Sequence, residues 1–196
     1  MTAEINDSFS SFIKKALFAG FLIGIGDIIY LTIDNKIVGA MLFALGLLTI
    51  IKLNLYLYTG KIGVDTFYRF NRKLLVPMIL SNFLGITIAV LPMAYIRPDL
   101  MEAINALTKF DKSFVELFVL GIFCGVCMYI AVKAKSDLVT VFAIMVFILS
   151  GYEHCIADFP YVIIGFSFDK LIKLFAIIAG NSCGSILSDL LSNGKN

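Results

Sequence analysis

Six stretches of mostly apolar residues, joined by short polar connections, run along this chain. They extend approximately from Phe12 to Ile33, Ile37 to Tyr58, Leu74 to Ile96, Ser113 to Val132, Leu138 to Ala157 and Ile172 to Leu190. Crossing a hydrocarbon layer of about 30 Å takes roughly 20 residues of helix, so the pattern predicts six membrane-spanning helices. The longest polar connection, from Arg97 to Lys112, has room for a short helix at most. One all-α transmembrane domain over residues 1–196 is therefore expected, with 191–196 as a tail.

Two of the spans carry interruptions. In the second, Leu55-Tyr56-Leu57-Tyr58-Thr59-Gly60 ends the apolar run, and an amphipathic piece with Phe67, Tyr68 and Phe70 follows. In the fifth, Ser150-Gly151 precedes Glu153-His154, and Pro160 comes after. A broken helix leaves backbone groups unpaired, which a membrane interior tolerates only when they are buried in protein or line a polar cavity.

The chain also reads as written twice. Gly20-x-x-x-Gly24 in the first span is matched by Gly121-x-x-x-Gly125 in the fourth, and Asn82-x-x-Gly85 in the third by Asn181-x-x-Gly184 in the sixth. Small-xxx-small motifs alone are ordinary helix-packing devices. The paired Asn-x-x-Gly at matching places points further, to two halves, 1–96 and 97–190, of opposite orientation in the membrane.

Composition agrees with a membrane protein. Hydrophobic residues make up 60% of the 196, and mean hydropathy is +0.95. Lys14, Lys15, Lys61, Arg69, Arg72, Lys73, Lys133, Lys135 and Lys195 fall on one side of the predicted spans. Lys36, Arg97, Lys109, Lys112, Lys170 and Lys173 fall on the other. That bias places both termini in the cytoplasm. No small-residue cleavage site follows the first apolar run, so it reads as a retained helix. The net charge of +2 gives no reason to expect nucleic acid or another polyanion as partner. Cys124, Cys127, Cys155 and Cys183 sit in apolar helices, where thiols usually only pack, and neither a metal nor a cofactor is expected.

Ionisable groups at membrane depth carry the chemistry. The only histidine, His154, adjoins Glu153 at the fifth-span break. Asp27 and Lys52 lie inside the first and second spans, where a charge costs about 2.5–3.5 kcal/mol on insertion scales. The readings that stand for them are a mutual ion pair facing the protein interior or an oligomer contact, and, more sharply, a pore role for Lys52, with Tyr56 and Thr59 following at i+4 and i+7.

The run Ser150-Gly151-Tyr152-Glu153-His154, with Ala19-Gly20, Phe43-Ala-Leu-Gly46, Leu57-Tyr58-Thr59, Lys109, Gly121-Ile-Phe and the two Asn-x-x-Gly motifs, resembles the formate/nitrite transporter family. The resemblance implies an aquaporin-like protomer of six helices with the second and fifth broken. It also implies a homo-oligomer, usually a pentamer, in the cell's inner membrane, passing small monovalent anions or their conjugate acids. Carried over residue by residue, His154 is the central histidine, Thr59 its partner on the other broken helix, and Lys109 the lysine near the outer mouth. Phe43 and Phe147 match the outer constriction, Leu57 and Tyr58 the inner one, and Asn82 and Asn181 join the pore set. Glu153 is expected to anchor the broken helix through backbone amides, and Lys112 to be surface. Gly125 stands where the family has Asn, which removes a donor from the neighbourhood of Lys109, and the loops after Thr59 and Asp158 look short. The expected partners are thus an anion, a proton, membrane lipid and further copies of the chain. An intramembrane enzyme and a non-conducting scaffold subunit remain the rival classes; the first lacks a recognised catalytic constellation.

Overall fold

Polar residues at the span boundaries do the local work of starting helices. Asn35 Oδ1 accepts from the amides of Ile37 (3.1 Å) and Val38 (3.2 Å). Ser113 and Glu116 close a reciprocal capping box. The computed structural model describes residues 7–63, 72–106 and 108–192, all helix and connections with no strand among them. Phe67, Tyr68 and Phe70, expected in an amphipathic piece, lie outside the described residues, as does the tail beyond 192.

The described helices are α1 (Phe9–Thr32), α2 (Lys36–Lys52), α3 (Tyr58–Lys61), α4 (Leu75–Ile96), α5 (Pro98–Ala106), α6 (Phe114–Lys133), α7 (Asp137–Leu149), α8 (Phe159–Ile164) and α9 (Phe168–Ser192). Three of them, α4, α6 and α9, are long and apolar enough to cross a membrane by themselves. Their outer faces invert the rule for soluble proteins. On α4, Val76, Leu80, Leu84 and Ile88 recur every four residues and are 46–64% exposed. An apolar stripe of that length facing outward belongs against lipid or another subunit.

The second and fifth spans are shorter than the sequence pattern suggested, because each helix is stopped by the same device. Asn54 (φ 51°) ends α2 and Gly151 (φ 69°) ends α7, both in the left-handed region. In α2, Leu55 N–H bonds Ile50 O (2.9 Å) and Asn54 N–H bonds Ile51 O (3.2 Å). In α7, Tyr152 N–H bonds Phe147 O (3.0 Å) and Gly151 N–H bonds Ile148 O (3.2 Å). These paired 6→1 and 5→2 bonds are Schellman motifs. Tyr58 therefore lies beyond the end of α2, at the start of the one-turn helix α3.

α1 packs closely along α4, and α6 along α9, through glycines. A Cβ at Gly85 would collide with the Leu17 carbonyl oxygen and stand 2.8 Å from Phe21 N. The Gly125 position is aimed at the Asn181 carbonyl and at Ser185 N (2.9 Å), so no side chain fits there. A donor at 125 would thus be directed into the α6–α9 contact.

These two kinds of glycine separate in a mutant pair. Gly85→Ala forces the α1 and α4 backbones apart and should cost on the order of 3 kcal/mol. Gly151→Ala meets nothing within 4 Å and carries only the left-handed penalty of about 1 kcal/mol. Thermal unfolding in detergent, followed by circular dichroism, should rank Gly85→Ala clearly below Gly151→Ala.

Candidate functional site

After each Schellman stop the chain runs extended for a few residues, and an asparagine from a neighbouring helix takes up its free backbone groups. Asn82 on α4 accepts from Tyr58 N–H (2.9 Å) and donates to Tyr56 O (2.9 Å) and Ala16 O (2.7 Å). Asn181 on α9 accepts from Cys155 N–H (2.9 Å) and donates to Glu153 O (2.8 Å) and Gly121 O (2.9 Å). Each clamp holds the residues two and four places past the helix stop, leaving one residue between them: Leu57 in one half and His154 in the other. Both amide hydrogens of each asparagine are committed to carbonyls, so neither offers a donor to a passing anion. Their place is to position the site; the sequence grouped them with the pore residues.

Thr59 and His154 meet at the centre, 1% and 2% exposed. Thr59 Oγ1 lies 2.8 Å from His154 Nε2, and Ala157 N–H points at Nδ1 (3.2 Å). Nδ1 receives a proton donor, so a neutral ring carries its own hydrogen on Nε2 and donates it to Thr59. The tautomer is assigned from that network. The Thr59 hydroxyl hydrogen is then left over for another acceptor.

Two cavities lie close by: His154 lines the larger, and Leu57 and Gly60, the residues two before and one after Thr59, line the smaller. The larger, about 190 Å³, is lined by Asp27, Tyr30, Lys36, Phe43, Lys109, Phe147, Tyr152, His154, Asp158 and Tyr161 among others. The smaller, about 170 Å³, is lined by Leu47, Ile50, Asn54, Leu57, Lys61 and Val132 among others. Phe147 stands against both Phe43 (centroids 6.2 Å, edge-on) and the His154 ring (5.6 Å, stacked). Phe43, Phe147 and Leu57 are thus brought to the site. Tyr58 lines neither cavity; its hydroxyl bonds Ser182 Oγ at 2.9 Å.

The electrostatics differ from the expectation. Lys52, 58% exposed, pairs with Asp137 at 2.6 Å and not with Asp27, because α2 stops there and Tyr56 and Thr59 do not continue its face. Lys109 is not a free cation: it binds Asp158 (2.7 Å) and Glu153 (3.2 Å) and lies over the Tyr161 ring. Burial works against its ammonium, but Asp158, Tyr161 and Glu153 together hold its pKa well above that of an ordinary lysine. Lys112, expected as bare surface, bonds Glu153 Oε1 (3.0 Å), so Glu153 anchors the break through two lysines in place of backbone amides. Asp158 and Tyr161 were not singled out from the sequence. A carboxylate four residues after the histidine, one turn on, was the available signal.

A family model described as "Formate/nitrite transporter" matches residues 1–191. Among solved structures, a "Pentameric formate channel with formate bound" superposes with a TM-score of 0.71 at 21% identity, covering 91% of this chain and 93% of that one. An "FNT family ion channel" superposes with a TM-score of 0.76 at 18% identity, covering 92% and 88%. At these identities the likeness is one of fold. No curated protein matches in sequence.

The ion pairs make Lys109 a structural residue as well as a charge. Lys109→Ala strands the buried Asp158 and part of Glu153, and should cost about 3 kcal/mol, the low end for breaking a buried pair because the lysine is partly exposed. A drop in thermal stability that Lys109→Arg largely restores is the expected result. Equal stability of the wild type and Lys109→Ala would show the cluster to be unimportant for folding.

Proposed function

Because the chain belongs to the formate/nitrite transporter family, we propose that it is a channel-like transporter of small monovalent anions or their conjugate acids, of the formate, nitrite or hydrosulfide class. The observation that carries this reading is the buried His154–Thr59 pair, with His154 lining the larger cavity and Thr59 beside Gly60 of the smaller. The protein is a membrane protein with long apolar helices. Its two halves, 1–96 and 97–190, are read as inverted three-helix repeats of a single domain. The equal spacing of stop, clamp and central residue in both halves supports that.

The path runs from the larger cavity past Phe43 and Phe147 to the polar pair, then past Leu57 into the smaller one. A bare anion loses its hydration between the phenyl rings, whereas its neutral acid passes at far lower cost. The Thr59 hydroxyl donates to the anion. His154 fixes that hydroxyl's orientation and supplies the titratable group beside it. Protonating Nδ1 would set its hydrogen against Ala157 N–H, so a charged ring requires the turn from His154 to Asp158 to open. This links pH to the geometry of the break. The protomers assemble as a pentamer in the inner membrane with both termini cytoplasmic, a reading supported by the pentameric neighbour, the outward apolar stripes and the lysine and arginine bias.

Proteoliposome flux of formate, nitrite, hydrosulfide and chloride across a pH series tests the proposal directly. Thr59→Val should lower anion flux on the order of tenfold, the worth of one hydrogen bond to a charged group, with the pH profile kept. His154→Asn should flatten or shift that profile in a folded oligomer. A wild-type profile in His154→Asn would remove the proton role. Native mass measurement in mild detergent should give a pentamer, and monomers alone would overturn the assembly.

A further inference from the structure

Asp27 has no place in the pathway described so far, yet it faces it. It sits on α1, 5% exposed, and lines the larger cavity. Its Oδ2 is buried without a hydrogen-bond partner. The cations that could neutralise it are already engaged. Lys109 is committed to Asp158 and Glu153, and Lys112 to Glu153. Lys36, exposed at the rim, gives its ammonium to the carbonyls of Tyr30, Leu31 and Ile33. Of three buried carboxyl groups, Asp27, Glu153 and Asp158, the latter two take both lysines. The phenols of Tyr30, Tyr152 and Tyr161 and the His154 ring complete the titratable surroundings.

An ionised carboxylate left alone in such a site is expensive and would repel the anions the cavity is proposed to admit. A divalent cation needs six or more oxygen ligands or several retained waters, and the acids here are largely taken up by lysines. We propose that Asp27 holds a proton and donates it to a small anion in the larger cavity, as a loading site ahead of the phenyl constriction. The inference rests on the transport reading above. The step balances: the Asp27 O–H bond breaks, a new O–H or S–H bond forms on the anion, and the neutral acid moves on. The carboxylate left behind takes its next proton from hydronium of the bulk solution, relayed by water entering at the Lys36 rim, and releases neutral water. Asp27 is then a substrate-contacting residue that sets selectivity for anions able to accept a proton. Chloride, a very weak base, is rejected at this point.

The test is infrared spectroscopy of protein labelled with carbon-13 at its aspartate carboxyls, in liposomes, through a pH titration. At neutral pH, where surface aspartates are ionised, a protonated-carboxyl band should be present in the wild type, lost in Asp27→Asn and retained in Asp158→Asn. A neutral-pH band that survives Asp27→Asn, or that is absent from the wild type, overturns the proposal. If Asp27→Asn does not fold, the wild-type and Asp158→Asn spectra still decide, since loss of the band in Asp158→Asn assigns it elsewhere. In parallel, Asp27→Asn, which keeps a donor but cannot titrate, should bring the ratio of formate flux at low and high pH towards one and narrow the preference over chloride. An unchanged ratio overturns the delivery step. Absence of wild-type flux for every anion overturns the transport reading and the delivery step with it, while the spectrum separately reports whether Asp27 is protonated.

Discussion

An unwound segment inside an apolar bundle has backbone groups that water cannot reach, and everything distinctive in this protein depends on how they are satisfied. Asn82 and Asn181 supply the answer, each replacing with one amide what a continuous helix would have provided. The Schellman motifs at Asn54 and Gly151 stop α2 and α7; without the asparagines the extended residues that follow would keep unpaired backbone groups at a cost. The close glycine contacts between α1 and α4 and between α6 and α9 serve the same end, since they let α4 and α9 bring those amides within reach of the breaks.

Charge is arranged by the same breaks. The turn that follows His154 carries Asp158 into a space already holding Glu153 on one side and Lys109 and Lys112 on the other. The lysines thus hold the segment from Glu153 to Asp158 against the connection between α5 and α6, with their charges matched by the two carboxyl groups. Such a cluster attracts an anion less than a bare lysine would.

What could be read from the sequence follows the range over which each interaction acts. The all-helical character and the location of the breaks were visible because they depend on local composition: Ser150-Gly151 marks one break, and Asn54, the left-handed residue, was the overlooked marker of the other. The two Asn-x-x-Gly motifs stood out by repetition, but their task did not, since a side chain that clamps backbone and one that meets substrate look alike in one dimension. The meeting of Thr59 with His154 came from the family resemblance, as no local pattern joins residues so far apart. Pairings across the fold were the least legible. Asp27 and Lys52 invited each other by depth alone, whereas the end of α2 turned Lys52 to Asp137, and Lys112 reached Glu153 only because the chain re-enters beside it.

The clamps grip main-chain atoms only, and this has a consequence for how such a protein can change. The residue held between them, Leu57 in one half and His154 in the other, has its backbone fixed by its neighbours' peptide groups, while the His154 ring is held further by Thr59 and by Ala157 N–H. The two positions are interchangeable sockets: one duplicated frame presents an aliphatic plug on one face and an imidazole on the other. A side chain at either position can therefore differ while the asparagines keep their hold on the same main-chain atoms.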